Sequence, residues 1–226
     1  MTWRSAVKRT GYKAVKSAAY YTPLQKLFVH RYTYMFSPER LFFLCQCLTD
    51  TKGMPGPILE VGCAYGQTTV FLNRHLDSLE DSRQYICIDT FGGFTPEDVQ
   101  YETTYRGKPK RRYTTFTDNG LKWFKQTMRT NGISRVAAIQ ADVNQFDFKA
   151  IDDISFCLVD VDLYRPVMSA LEKVYERAAS GAIIVVDDCR QDNVFDGAYE
   201  AYMEFVASRG LEPNLVLDKF GVIKIP

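Results

Sequence analysis

Two apolar runs in this chain each end in a cluster of acids, and those acids are of a type and spacing that could hold a cation or move a proton. Ile154-Ser155-Phe156-Cys157-Leu158-Val159 ends in Asp160-Val161-Asp162, and Ala182-Ile183-Ile184-Val185-Val186 ends in Asp187-Asp188. Both runs read as buried parallel strands, joined by a helix-length segment from Arg165 to Ala179. Parallel neighbours lie about 4.8 Å apart with their carboxyl ends at one edge, so acids distant in sequence converge. Carboxylates that close repel unless a proton or cation sits between them. An all-oxygen donor set suits a hard divalent ion such as magnesium. The blander alternative is that these acids, with Asp152-Asp153, are polar strand ends in loops.

Upstream, Ile58-Leu59-Glu60-Val61-Gly62-Cys63-Ala64-Tyr65-Gly66-Gln67-Thr68-Thr69 reads as a strand, a glycine-bearing turn and a helix start. Gly62 and Gly66 would let backbone approach a ligand where a Cβ obstructs it. Their Glu-x-Gly-x-x-x-Gly spacing departs from the Gly-x-Gly-x-x-Gly of dinucleotide sites and favours S-adenosylmethionine over NAD. The next strand ends in Ile88-Asp89-Thr90, about 20 residues on, where an acid can accept both ribose hydroxyls of a nucleoside. Asp142 follows the third strand and faces two readings, a contact to the adenine edge or a loop acid.

These residues need a scaffold. Strands at Ile58–Val61, Tyr85–Ile88 and Val136–Gln140 alternate with helices at about Gln67–Leu79 and 119–130, and a helix at about Val194–Ser208 follows the two acid-tipped strands. Leu215-Val216-Leu217 and Gly221–Ile225 resemble an antiparallel hairpin. Alternating strands and helices indicate an α/β fold with a parallel sheet, which binds ligands beyond the strands' carboxyl ends. Ser37-Pro38-Glu39 starts a helix well, as cap, first position and first-turn acid. We expect a helical N-terminal extension over residues 1–50 and a catalytic domain over 51–226. Residues 90–118 read as irregular, with 95–118 an insertion that forms a mobile lid. Its basic run (Arg106, Lys108, Lys110, Arg111, Arg112) would attract a phosphate- or carboxylate-bearing acceptor.

Glu60-x-Gly62-x-x-x-Gly66, Asp89-Thr90-Phe91-Gly92-Gly93-Phe94, Asp160-Val161-Asp162-Leu163-Tyr164 and Val186-Asp187-Asp188 occur in the order of the macrocin O-methyltransferase family. Met35-Phe36-Ser37-Pro38-Glu39-Arg40-Leu41 also looks like that family's lead-in, and the resemblance spans roughly residues 33–225. It implies a class I methyltransferase: a doubly wound, mostly parallel, seven-stranded Rossmann-like sheet with a terminal antiparallel hairpin. It also implies an S-adenosylmethionine-dependent, metal-dependent sugar O-methyltransferase of natural-product or glycan biosynthesis. The cofactor is then expected at Glu60, Gly62, Ala64, Gly66, Thr68, Thr69, Asp89, Thr90, Phe91 and Asp142. The family's metal carboxylates match Asp160, Asp187 and Asp188, for Mg2+ or Mn2+. Either Asp160 or Asp162 could take the acceptor's proton. The competing readings are a catechol-type O-methyltransferase of small molecules and a non-catalytic S-adenosylmethionine-binding scaffold.

Bulk properties narrow the field. The 226 residues fit one domain with a substantial core. No apolar run approaches the roughly 20 residues of a membrane span, and no secretory signal is seen. The six cysteines sit in or beside apolar runs as small core residues, which suits a reducing cytoplasm. Residues 1–38 carry seven Lys/Arg and no acid, leaving 21 basic against 27 acidic residues, a net of −6, in the remainder. Such a leader suits packing on the domain or on a second subunit better than docking on a membrane. No motif for a flipped base is present, so the expected partner is a free or carrier-linked sugar and not a nucleic acid. Neither His30 nor His75 lies in a motif, which leaves carboxylates and metal as the expected apparatus.

Overall fold

The computed structural model of the chain describes residues 3–27, 32–151, 153–191 and 194–226; Phe28, His30 and Asp152, named above or part of the leader, lie outside them. The chain divides into two compact units, Met1–Tyr34 and Met35–Pro226. The first holds helix α1 (Trp3–Ala19) and a short 3-10 turn over Pro23–Leu27. Tyr12, Val15, Tyr20, Tyr21 and Leu24 of this unit are exposed.

In the second unit the strands are β1 (Ile58–Val61), β2 (Tyr85–Asp89), β3 (Val136–Gln140), β4 (Ile154–Val159), β5 (Ala178–Val186), β6 (Leu215–Val216) and β7 (Phe220–Lys224). They form one sheet in the order β3-β2-β1-β4-β5-β7-β6. β1 through β5 pair in parallel, and β7 runs antiparallel to β5 and β6. Every residue of β1 and β4 is buried, as expected of parallel strands covered on both faces. The chain reverses its direction of travel across the sheet between β1 and β4, so the carboxyl ends of these two strands form the switch point where α/β sheets open a crevice.

Helices α2 (Pro38–Asp50), α3 (Gln67–Ser78), α4 (Pro96–Thr104), α5 (Leu121–Thr130), α6 (Tyr164–Tyr175) and α7 (Gly197–Ser208) complete this unit. The expected boundary at residue 50 therefore moves. α2 falls in the same compact unit as the sheet, burying Leu41, Leu44 and Leu48 and packing on α3.

Two elements differ from the sequence reading. The stretch 90–118 is not wholly irregular: α4 lies within it, with Thr95 as cap accepting the Asp98 amide at 3.2 Å and Pro96 in the first turn. β5 begins at Ala178, not Ala182, because its first residues pair with Ile154 before a register shift. Gly181, at φ +85°, lies within that shift. All six cysteines are buried and free. No helix among the described residues is long and apolar enough to cross a membrane.

Candidate active site

A cavity of about 480 Å³ opens over the carboxyl ends of β1 to β5. Gly62, Ala64, Asp89, Thr90 and Asp142 line one part of it, and Asp160, Asp162, Asp187 and Asp188 line another. The acids at the two strand ends thus share one chamber with the glycine turn.

The glycine-turn half is built on backbone amides. Asp89 Oδ2 accepts the amides of Cys63 and Ala64, each at 2.8 Å, and Oδ1 accepts that of Phe91 at 2.6 Å. One carboxylate at the end of β2 therefore fixes the turn after β1, as a charge-assisted acceptor. Both glycines answer to protein packing. A Cβ on Gly62 would collide with the carbonyl oxygen of Asp160, and one on Gly66 would press on Met128 and Phe124 of α5. Both also have φ above +80°, a region open mainly to glycine.

Five residues expected at the cofactor do not reach the cavity wall: Glu60, Gly66, Thr68, Thr69 and Phe91. Glu60 is 1% exposed; its Oε2 accepts the hydroxyls of Thr69 at 2.7 Å and Tyr85 at 2.8 Å. Burial pushes its pKa up to about 7, against the pull of hydrogen bonds from Thr69, Tyr85 and Cys87. Phe91 is buried against Phe124, with ring centres 5.2 Å apart. Glu60, Thr69 and Phe91 thus brace the turn from behind. Asp142 lines the cavity, and its Oδ1 accepts the backbone and side-chain amides of Asn144 at 2.9 Å.

The carboxylate half is crowded. Burial, then repulsion from Asp187 and Asp188, raises the Asp160 pKa well above the usual carboxylate range. Burial, then Asp160 and Asp188, does the same to Asp162. Burial and Asp188 push Asp187 up to about 6, although Lys219 and Arg40 pull it down. Asp162 and Asp188 both adopt φ of +62°, so the strand-end loops turn sharply to bring these acids in.

The charge is met by two cations that the sequence reading assigned no role. Arg40 of α2 donates to Asp187 Oδ1 at 3.1 Å while its guanidinium lies over the ring of Phe36. Lys219, in the turn between β6 and β7, pairs with Asp188 and lies 3.5 Å from Asp187 Oδ2. Burial works against the Lys219 ammonium, but the two carboxylates outweigh it and raise its pKa. Arg40 lies in the lead-in motif, which was a usable signal; an isolated lysine in a hairpin turn gives none.

The donor chemistry of Asp160, Asp187 and Asp188 suits a hard divalent ion: all oxygen, partly desolvated and short of positive charge. Lys219 already places an ammonium against two of these acids. Among the described residues, however, no group of three or more His, Cys, Asp or Glu side chains stands as a ready ligand set.

The insertion is a strap that lines the cavity with Thr95, Asp98, Thr115 and Phe116 and is tied down in two places. Near the glycine turn, Asn119 Nδ2 donates to the Ala64 carbonyl at 2.8 Å and Tyr65 donates to Asp118. At the other end Arg106 pairs with Glu102, Asp196 and Glu200, and Lys108 pairs with Asp196. Two cations of the basic run, Arg106 and Lys108, are thereby paired inside the protein, while Lys110 and Arg111 are exposed. The cavity wall where the strap meets the domain is aromatic: Phe94 lies 5.9 Å from Phe116 and 5.6 Å from Phe195.

The Macrocin-O-methyltransferase (TylF) family model matches residues 29–223. The chain belongs to this family. It is accordingly an S-adenosylmethionine-dependent O-methyltransferase. Solved structures share its fold. The O-methyltransferase NovP superposes with a TM-score of 0.74 at 20% identity, covering 86% of this chain and 83% of that one. CalS11, a calicheamicin methyltransferase, gives 0.64 at 17% identity over 92% and 85%. The N-methyltransferase NodS of Bradyrhizobium japonicum WM9, solved with S-adenosyl-L-homocysteine, gives 0.52 at 17% identity over 83% and 86%. No curated protein matches the chain in sequence.

Proposed function

We propose that this O-methyltransferase acts on a sugar hydroxyl of a glycoside or glycan. The reading is carried by one observation: the acids ending β4 and β5 open into the same chamber as the glycine turn. In it, Gly62, Ala64, Asp89, Thr90 and Asp142 hold the cofactor, with Asp89 keeping the turn in shape through three amides. A sugar hydroxyl is a very weak acid, so transfer needs a base and a positive charge near the oxygen. Asp162 is the proposed proton acceptor, because it lines the same chamber two residues from Asp160 and is not among the acids assigned to the metal. Asp160, Asp187 and Asp188 would hold Mg2+ (or Mn2+), which supplies positive charge against the negative charge developing on the acceptor oxygen. A cation there competes with Lys219 for two of the carboxylates. Phe94, Phe116 and Phe195 offer an apolar wall to the acceptor's ring or aglycone. Seven acids line the cavity, against one lysine that is already paired, which disfavours an acceptor carrying phosphate.

The test is transfer of labelled methyl from S-adenosylmethionine to aryl glycosides, nucleoside-diphosphate sugars and catechol in parallel. Label should pass to the sugar of an aryl glycoside, vanish on chelation and return with Mg2+. Transfer to catechol alone would replace this reading with the catechol-type one. Undiminished transfer after chelation would remove the metal from it.

A further inference from the structure

Helix α6 begins two residues after Asp162, and its own sequence does not cap it. The residue at the cap position is Leu163, which makes no side-chain cap hydrogen bond. The first amides of any helix lack intrahelical partners and need an outside acceptor. The Tyr164 amide finds one 62 residues away in sequence: Glu102 Oε1, at 2.9 Å. Glu102 is 1% exposed, and its other oxygen takes Arg106 and, at 3.3 Å, the Tyr113 hydroxyl. Arg106 in turn reaches Asp196, at the cap position of α7, and Glu200 in that helix's first turn. The Ala198 amide, in the same first turn, donates to the Asp162 carbonyl at 3.1 Å. Gly197 sits where these lines cross: a Cβ there would press on the Tyr164 nitrogen, Arg106 Nη1 and Glu102 Oε1 at once.

We propose that Glu102 and Arg106 are positioning residues for the Asp160–Asp162 loop. Glu102 caps α6 from the strap, and Arg106 locks that cap to the start of α7. The loop bearing the proposed base is held at Tyr164 by the strap and at Asp162 by α7. Asp162 itself has φ of +62°, in the left-handed region that aspartate enters more readily than most residues. The strap is thereby part of the catalytic scaffold.

This inference rests on the proposed role of Asp162, and its test separates the two. Hydrogen exchange of wild type and Glu102→Ala is compared over peptides covering Asp160–Pro166, alongside S-adenosylhomocysteine affinity and turnover of an aryl glycoside. The expected result is exchange at the Tyr164 amide faster by roughly ten-fold or more. Turnover should fall about ten- to hundred-fold, the scale of a small misplacement of a reacting group, with affinity for S-adenosylhomocysteine within about three-fold of wild type. Glu102→Gln keeps a carbonyl for the Tyr164 amide but turns its NH2 toward Arg106, so it should retain slow exchange and lose less turnover than the alanine variant, and it serves if the alanine variant does not fold. Unchanged exchange in Glu102→Ala overturns the inference. So does a loss of cofactor affinity in step with turnover, or a collapse of turnover in Glu102→Gln while exchange stays slow. If wild type transfers no methyl to any glycoside, the acceptor reading fails while the exchange result still reports on the latch.

Discussion

The two halves of the cavity satisfy their carboxylates by opposite means. Asp89 is answered by backbone amides, from Phe91 beside it and from Cys63 and Ala64 in the turn after β1, and it organises that turn. Asp187 and Asp188 are answered by side-chain cations from α2 and from the β6–β7 turn, while Asp160 and Asp162 keep raised pKa values. A carboxylate with its donors built in is committed to structure. Carboxylates crowded together, with cations that can be displaced, stay available for chemistry. The contrast predicts that isosteric changes in the two halves fail in different ways.

The largest effect is expected from Asp162→Asn. Turnover should drop by on the order of 100-fold or more, the scale of a lost general base, while calorimetry finds S-adenosylhomocysteine affinity nearly unchanged. A matching loss of affinity would erase the distinction between the halves. Asp89→Asn should do the reverse. Its amide nitrogen would face backbone donors, costing about 3 kcal/mol of stability and weakening S-adenosylhomocysteine binding; thermal melts and calorimetry read both. An Asp89→Asn protein that melts like wild type but turns over slowly would put chemistry in the wrong half.

The smallest effect concerns Glu60, which also serves structure. Its folded-state pKa of about 7 lies above its ordinary 4.5, so the folded form favours the neutral acid. The resulting stability is fully present below the unfolded value and is lost as pH rises through about 7. The loss between about pH 5.5 and 7.5 is about 2 kcal/mol. Glu60→Gln should flatten that part of the profile in denaturant titrations. Asp160, Asp162 and Asp187 contribute slopes of the same sign in both proteins and cancel in the comparison. Identical slopes would mean that Glu60 titrates as an exposed acid does.

The same division explains what could be read from sequence. The strands β2, β4 and β5 and the acids at their ends were legible because each apolar run is short and stopped by Asp. Helix α4 was missed although Thr95-Pro96-Glu97-Asp98 is a cap signal, because the residues after it are Tyr and Thr without a clear apolar period. The roles of Gly62 and Gly66 were half legible: the turn was right, but the atoms filling the Cβ space belong to Asp160 and α5, which only the folded sheet brings near. Lys219 and Glu102 act across separations that no local pattern encodes.

Lys219 also sets an order of events. β7, the partner of β5, is the last strand in chain order, and the turn that carries Lys219 immediately precedes it. During synthesis the four carboxylates emerge first and remain without this counter-charge until residue 219 has left the ribosome. At translation rates of about 5–20 residues per second, the acidic chamber waits a few seconds for its cation. A nascent chain halted between Asp188 and Lys219 would hold β5 without its partner β7 and an acidic cluster met by Arg40 alone, so the second counter-charge arrives only after the acids.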